Sequence, residues 1–98
     1  MKKTNENLKK IQANAQMTIK IASFIKTEFG KSEFFSEELQ KISDITKILS
    51  ISGEYEFLIE IVTEKSDDLM DVIEYIEKIP GIKEIHSHYV LSEWEKKF

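Results

Sequence analysis

A chain of 98 residues with 41% hydrophobic side chains is the size of one small folded domain. Its net charge of -4, with Lys, Glu and Asp mixed along the chain, argues against the clustered basic surface of a nucleic-acid-binding protein. The lack of cysteine excludes disulfides and zinc thiolate sites. Neither a membrane span nor a signal-peptide run is present in the sequence, so we expect a cytoplasmic protein with no membrane partner.

A polar segment opens the chain, and residues 1–16 are predicted to form an N-terminal arm. Its few apolar residues have helical spacing, but they make only a thin stripe. The arm is therefore either a frayed tail or short surface helix, or a segment that packs on a neighbouring subunit. Residues 17–98 are predicted to be the folded domain.

Four runs of β-forming residues alternate with two runs of helical period in this domain. The predicted strands cover 17–27, 45–51, 55–63 and 82–92, and the predicted helices cover 31–42 and 66–79. The first strand carries apolar side chains on both faces, which is typical of a strand covered on both sides. The order β-α-β-β-α-β predicts a ferredoxin-like α+β fold, in which a four-stranded antiparallel sheet carries both helices on one face.

The second face of this sheet is predicted to need a partner. Two helices cover only one face, so the apolar side chains of the other face would remain exposed to water. A second copy of the sheet is the simplest cover, and burial against it would help to stabilise so small a domain. We therefore expect a homodimer that forms through this face.

A glycine-containing turn at residues 52–54 separates the second and third strands and predicts an antiparallel hairpin. Gly53 is expected to adopt a positive φ in this turn. The alternation that follows places Tyr55 on the same face as Phe57 and Ile59. Tyr55 is therefore either a core residue or a pocket wall, and the period alone favours the core.

Four short segments resemble the effector-binding domain of the Lrp/AsnC regulators, also called the RAM domain. The segments are Lys26-Thr27-Glu28-Phe29-Gly30-Lys31, Ser52-Gly53-Glu54-Tyr55-Glu56-Phe57, Ile79-Pro80-Gly81-Ile82 and Ser87-His88-Tyr89-Val90-Leu91. They are similar to the family's first strand end and turn, its Gly-acidic-Tyr-Asp turn, its Leu-Pro-Gly-Val link and its closing strand. They occur in the family's order and spacing across residues 17–95.

This resemblance implies a small-molecule-sensing and oligomerisation module that acts in transcriptional regulation, with an amino acid as the expected effector. Dimers of the family assemble into rings, often octamers, and the effector binds between dimers. Family members of full length carry an N-terminal helix-turn-helix. Because only 16 residues precede the first predicted strand, we expect a stand-alone form that acts with a DNA-binding paralogue and does not itself bind nucleic acid.

The resemblance also implies a set of ligand-binding residues. They are Gly53, Glu54, Tyr55, Glu56, Ser87 and His88. Glu56 stands where the family has Asp, and a carboxylate there is expected to pair with an amino group of the effector. Ser87 would offer its hydroxyl to the ligand, and His88 replaces a smaller hydroxyl residue.

His86 and His88 lie two residues apart on a predicted strand, so both side chains are expected to point to one face. Such a pair holds a metal ion only with further ligands, and the sequence places none, so neither a metal nor a cofactor is predicted. No acid-base constellation accompanies the two histidines, and the chain is expected not to be an enzyme.

Two other functions remain open from the sequence. One is a purely structural protein whose ring forms without a ligand. The other is a small dimeric α+β barrel enzyme or a haem- or tetrapyrrole-binding protein. The two histidines are the only sequence feature that supports it. In the charged C-terminal tail, Trp94 and Phe98 are either loosely exposed or docked on a neighbouring subunit, and docking is favoured because an exposed Trp is unusual.

Overall fold

A computed structural model describes residues 18–96, which form four strands and two helices. The strands are β1 (Ile19–Thr27), β2 (Ile45–Ser50), β3 (Phe57–Thr63) and β4 (Ile82–Tyr89), and the helices are α1 (Ser32–Gln40) and α2 (Ser66–Glu77). Neighbouring strands are antiparallel and lie in the order β2-β3-β1-β4. The chain order and the sheet confirm the predicted ferredoxin-like α+β fold. The predicted arm over residues 1–16 lies outside the described residues.

Both helices pack on the same face of the sheet and bury alternate residues of its strands. The strand residues most deeply buried there are Ile21, Ile25, Phe57, Ile59 and Ile61. The helices supply the matching side chains, which are Phe35 and Leu39 from α1 and Leu69, Val72 and Ile76 from α2. Full burial of such a side chain stabilises the folded state by about 1.5–3 kcal/mol. This helix-covered face therefore contains the hydrophobic core.

The link between α2 and β4 is tied to the turn that follows β1. The Glu28 amide donates a hydrogen bond of 2.8 Å to the Gly81 carbonyl. Gly81 comes directly after Pro80, at the expected helix end, and has a φ of 97°. A Cβ on Gly81 would lie only 2.6 Å from Cζ of Phe35. This position therefore requires glycine both for its backbone conformation and for its space against α1.

The loop between β2 and β3 is longer than the predicted turn. β2 ends at Ser50, and β3 begins only at Phe57. The Ile51 amide bonds the Glu56 carbonyl at 3.0 Å, and the Glu56 amide bonds the carbonyl of Ile25 on β1 at 3.0 Å. The prediction that residue 55 continues the strand alternation is therefore wrong, because the regular ladder starts after it.

The other face of the sheet, called the open face below, is covered by neither of the two described helices. Cross-strand pairing puts Phe24 of β1 beside Leu58 of β3 and beside His86 of β4. The same alternation, with the pairing of β2 and β3, adds further residues of this face, which are Lys20, Ala22, Lys26, Lys47, Leu49, Glu60, Val62, Glu84 and His88. The prediction of a central strand with apolar side chains on both faces is confirmed for β1.

Candidate ligand-binding site

The loop after β2 presents Gly53 and Glu54 to solvent. Gly53 has a φ of 113°, which confirms the predicted positive φ. A Cβ built there meets no described atom within 4 Å, so the backbone conformation, and not a lack of space, favours glycine at this position. The loop is open enough for its backbone amides to contact a ligand or a neighbouring chain.

The Glu56 carboxylate is held at the end of β1. One of its oxygens, Oε2, accepts a hydrogen bond of 3.2 Å from the backbone amide of Thr27, a residue that is 3% exposed. This bond satisfies an amide next to the point where β1 stops, so the side chain of Glu56 contributes to the strand end. A ligand ammonium would have to share this carboxylate with the Thr27 amide.

Tyr55 and His88 belong to a group of four rings on the open face, called the aromatic cluster below. Its members are Phe24, Tyr55, His86 and His88. The Tyr55 ring centroid lies 5.6 Å from that of Phe24 and 5.4 Å from that of His86, and His88 lies 6.1 Å from Phe24. Tilted and edge-to-face contacts at these distances are favourable for aromatic pairs. The expectation that Tyr55 is a core residue beside Phe57 is thus wrong, since its ring packs on the opposite face.

Ser87 points to the helix-covered side of the sheet, away from its neighbour His88. Its Oγ lies 2.7 Å from Oγ of Ser23, which is fully buried on β1. The two hydroxyls form a hydrogen bond, so Ser87 satisfies a polar group that burial would otherwise leave unpaired. The one sign of this pair in the sequence is a serine within β1, a strand that is largely apolar.

The structure brings Tyr55 and His88 together in the aromatic cluster, but the six predicted ligand-binding residues do not form one group in a single chain. Thr27, which contacts Glu56, and Ser23, which contacts Ser87, are four residues apart on β1, or about 13 Å along the strand. His88 lies on the opposite face of the sheet from Ser87. A groove of about 500 Å³ between α1 and β2 is lined by none of the six. Within one chain these residues do not converge on a common pocket.

A charged group at one end of the open face was not anticipated from the sequence. The Lys20 ammonium lies 3.3 Å from the Glu60 carboxylate and donates to both carboxylate oxygens of Glu93, at 3.0 and 2.8 Å. The hydrogen bond to Glu93 is the main cause that raises the pKa of Lys20, against the opposing effect of its burial. Sequence order separates Lys20 from Glu93 by most of the chain, so only the antiparallel pairing of β1 and β4 reveals the contact.

Glu60 is the partly buried acid of this group. Burial alone would raise the pKa of its carboxyl, but hydrogen bonds from Thr46 and Lys20, together with the positive charges of Lys20 and Lys47, lower that pKa below its ordinary value. The Thr46 hydroxyl donates to the carboxylate at 2.8 Å. The carboxylate is therefore held in its ionised form at neutral pH, on a face that carries both charged and apolar side chains.

The two histidines share the open face, as predicted, and the Nε2 atom of His86 lies 3.3 Å from the Glu84 carboxylate. Within residues 18–96, no group of three or more His, Cys, Asp or Glu side chains is placed to hold a metal ion. In the same part of the chain, no helix is long and apolar enough to cross a membrane.

Comparison with known proteins relates this chain to a family of regulators. The family described as the Lrp/AsnC ligand binding domain matches residues 22–97. The HTH-type transcriptional regulator FL11 of Pyrococcus horikoshii is 28% identical over 67 residues, which make up 68% of this chain and 44% of the regulator. This chain thus covers less than half of that relative's length.

Two solved structures show the same fold. FFRP-DM1 superposes with a TM-score of 0.70 at 22% identity, over 74% of this chain and 99% of that protein. The transcriptional regulator NMB0573 of Neisseria meningitidis, in complex with L-Met, superposes with a TM-score of 0.73 at 15% identity, over 86% of this chain and 56% of that protein. These two structures show the fold, and the family match over residues 22–97 shows that the chain belongs to the Lrp/AsnC ligand binding domain family.

Proposed function

We propose that this chain is a ligand-sensing and oligomerisation module of transcriptional regulation, located in the cytoplasm, whose effector is an amino acid or a related small molecule. Membership of the Lrp/AsnC ligand binding domain family carries this proposal. The names of two similar proteins support it, because FL11 is a transcriptional regulator and NMB0573 is a regulator in complex with L-Met. A paralogue with a DNA-binding domain would connect the module to transcription.

The effector site of the proposal lies between copies of the chain. Glu56 and Ser87 are held about 13 Å apart along β1, so one small molecule does not reach both within one protomer. The exposed loop that contains Gly53 and Glu54 is free to meet the same loop or another edge of a neighbouring copy. Dimers that pair through the open face, and a ring built from them, would bring residues of different protomers together.

Titration calorimetry with each of the twenty amino acids tests the effector part of this function. We expect heat with one amino acid or one chemical group of them. Glu56→Gln should weaken that binding by about tenfold or more, because it removes a charge-assisted contact to an ammonium. The substitution keeps a carbonyl oxygen for the Thr27 amide, so the strand end is preserved. Glu77→Gln, on the exposed side of α2, is the matched control and should leave the affinity unchanged.

Absence of heat with all twenty amino acids, and no change in assembly mass on adding them, would contradict the effector part. A structural assembly protein would then be the better description. One observation already favours that second candidate, because the carboxylate of Glu56 and the hydroxyl of Ser87 both have partners within the chain. Light scattering without any ligand would support it if a ring of fixed mass appeared.

A further inference from the structure

The C-terminal tail, residues 90–96, follows the end of β4 and leaves two large apolar side chains in solvent. Leu91 is 91% exposed and Trp94 is 86% exposed, the latter in a segment that is otherwise charged. Single exposed apolar residues are common on protein surfaces, but Trp is highly buried on average, so an exposed Trp with an exposed Leu three residues before it is unusual. The tail thus carries side chains that are suited to an interface.

The tail does not leave the sheet in an arbitrary direction, because two contacts attach it to β1. The Val90 amide donates to the Lys20 carbonyl at 2.9 Å, which extends the strand pairing by one step. The Glu93 carboxylate then binds the Lys20 ammonium, with oxygens at 3.0 and 2.8 Å. Since the Lys20 side chain belongs to the open face, this ion pair holds the tail at the margin of that face.

We propose that the tail is an interface arm, which packs Leu91 and Trp94 against the open face of a second copy of this chain. The inference rests on the proposed pairing through the open face and adds to it a contribution from the tail. Within one chain the anchor at Glu93 is already formed, and both apolar side chains still lie in solvent. The anchored tail therefore does not pack these two side chains on the sheet of its own chain.

A second copy fits this arm because the chain carries both halves of the contact. The open face offers apolar side chains from its two central strands, Phe24 from β1 and Leu58 from β3, beside the rings of the aromatic cluster. A two-fold symmetric pair places the same face and the same arm on each partner, so both arms are covered at once. Buried aromatic anchors of this kind carry a large part of the binding energy in many interfaces.

The fluorescence of Trp94 reports on this contact directly, because it is the only tryptophan of the chain. A dilution series of the full chain would be measured for both emission and mass by light scattering. We expect a blue shift of the emission that appears together with the doubling of mass. A dimer whose Trp94 emission stays that of a solvated indole would overturn the arm and leave the sheet pairing intact. A monomer with blue-shifted emission would also overturn it, because the arm would then pack on its own chain.

Substitution gives a second, independent measurement. Trp94→Ala should weaken dimerisation by about tenfold or more, as expected for an aromatic interface anchor. Tyr75→Ala is the matched control, since Tyr75 is a half-exposed aromatic residue of α2 on the other side of the molecule, and it should leave the dissociation constant unchanged. Equal dissociation constants for Trp94→Ala and the wild type would contradict the arm. A chain that stays monomeric throughout the series would contradict both the arm and the proposed pairing.

Discussion

The two faces of the sheet are built from the same strands but have different relations to solvent. On the helix-covered face, the apolar side chains of β1 and β3 are almost completely removed from water by α1 and α2. On the open face, Leu58 and Val62 of β3 are only partly buried, and Leu49 of β2 is 45% exposed. The first face is complete within one chain, whereas the second holds apolar surface that a single chain does not cover.

Charge is also distributed differently between the faces. Among residues 18–96, the buried polar side chains are the neutral hydroxyls of Ser23, Thr27 and Thr63, and each has a hydrogen-bond partner. The open face carries the ionised group formed by Lys20, Glu60 and Glu93 and, beside it, the aromatic cluster. Apolar surface combined with a few paired charges is typical of an interface, while a core of neutral groups is typical of a closed interior. The difference supports the proposed pairing of two copies through the open face.

Substitutions at neighbouring residues of β3 give the strongest test of this division. Ile59→Ala truncates a residue of the core and should lower the free energy of unfolding by about 2–5 kcal/mol. Leu58→Ala truncates the next residue, on the open face, and should cost less in dilute protein. Its cost should grow as the protein concentration rises, because a dimer stabilises its folded subunits by mass action.

Urea unfolding of both variants and the wild type at two protein concentrations measures these effects. The cost of Ile59→Ala should be similar at the two concentrations. If Leu58→Ala were as costly as Ile59→Ala in dilute protein, or if its cost did not change with concentration, the two faces would not differ in the way described.

The close packing on the helix-covered side extends to the backbone at Gly81, and this permits a second comparison. Gly81→Ala places a Cβ 2.6 Å from the ring of Phe35, in addition to requiring a positive φ. Gly30→Ala also requires a positive φ, but its Cβ meets no described atom within 4 Å. Gly81→Ala should therefore destabilise the fold by about 1–3 kcal/mol more than Gly30→Ala.

Thermal or urea unfolding of the two glycine variants gives this difference directly. Because both substitutions impose the same kind of backbone strain, the difference isolates the steric contact with α1. Equal losses of stability in the two variants would show that Phe35 moves aside at little cost, and that the packing at this edge is looser than the geometry indicates.

The fold could be predicted from the sequence because each element carries a local pattern. Alternation defined the strands, helical period defined α1 and α2, and the Pro80–Gly81 link marked a helix end. The error at Tyr55 has a physical cause. A loop residue next to a strand keeps the apparent alternation of the strand, while its real direction is decided by where the ladder begins, at Phe57.

The candidate site was less accessible to sequence reasoning because its contacts are tertiary. The partner of Glu56 is a backbone amide of β1. Because almost every residue type has a backbone amide, the sequence does not reveal such a partner. The hydroxyl pair of Ser23 and Ser87 and the ion pair of Lys20 and Glu93 depend on the register between β1 and β4. Local periodicity predicts strands, but it does not fix which strands are neighbours or how they are aligned.

The ion pair on the open face provides the smallest of the expected effects and a test of its own. The pKa of Glu60 is lowered in the folded protein from an ordinary value of 4.5. Its contribution to stability is therefore fully present above the unfolded pKa and is lost as the pH falls through the lower, folded pKa. Glu60→Gln should remove this contribution and make stability fall less steeply in acid, by less than about 1 kcal/mol.

Urea unfolding at fixed protein concentration across the acid range measures the slope, and Glu77→Gln on α2 controls for the loss of one negative charge. If the stability of both variants changed with pH as steeply as that of the wild type, Lys20 and Thr46 would not stabilise the ionised Glu60 carboxylate in the folded state. The open face would then differ from the helix-covered face in its apolar surface alone.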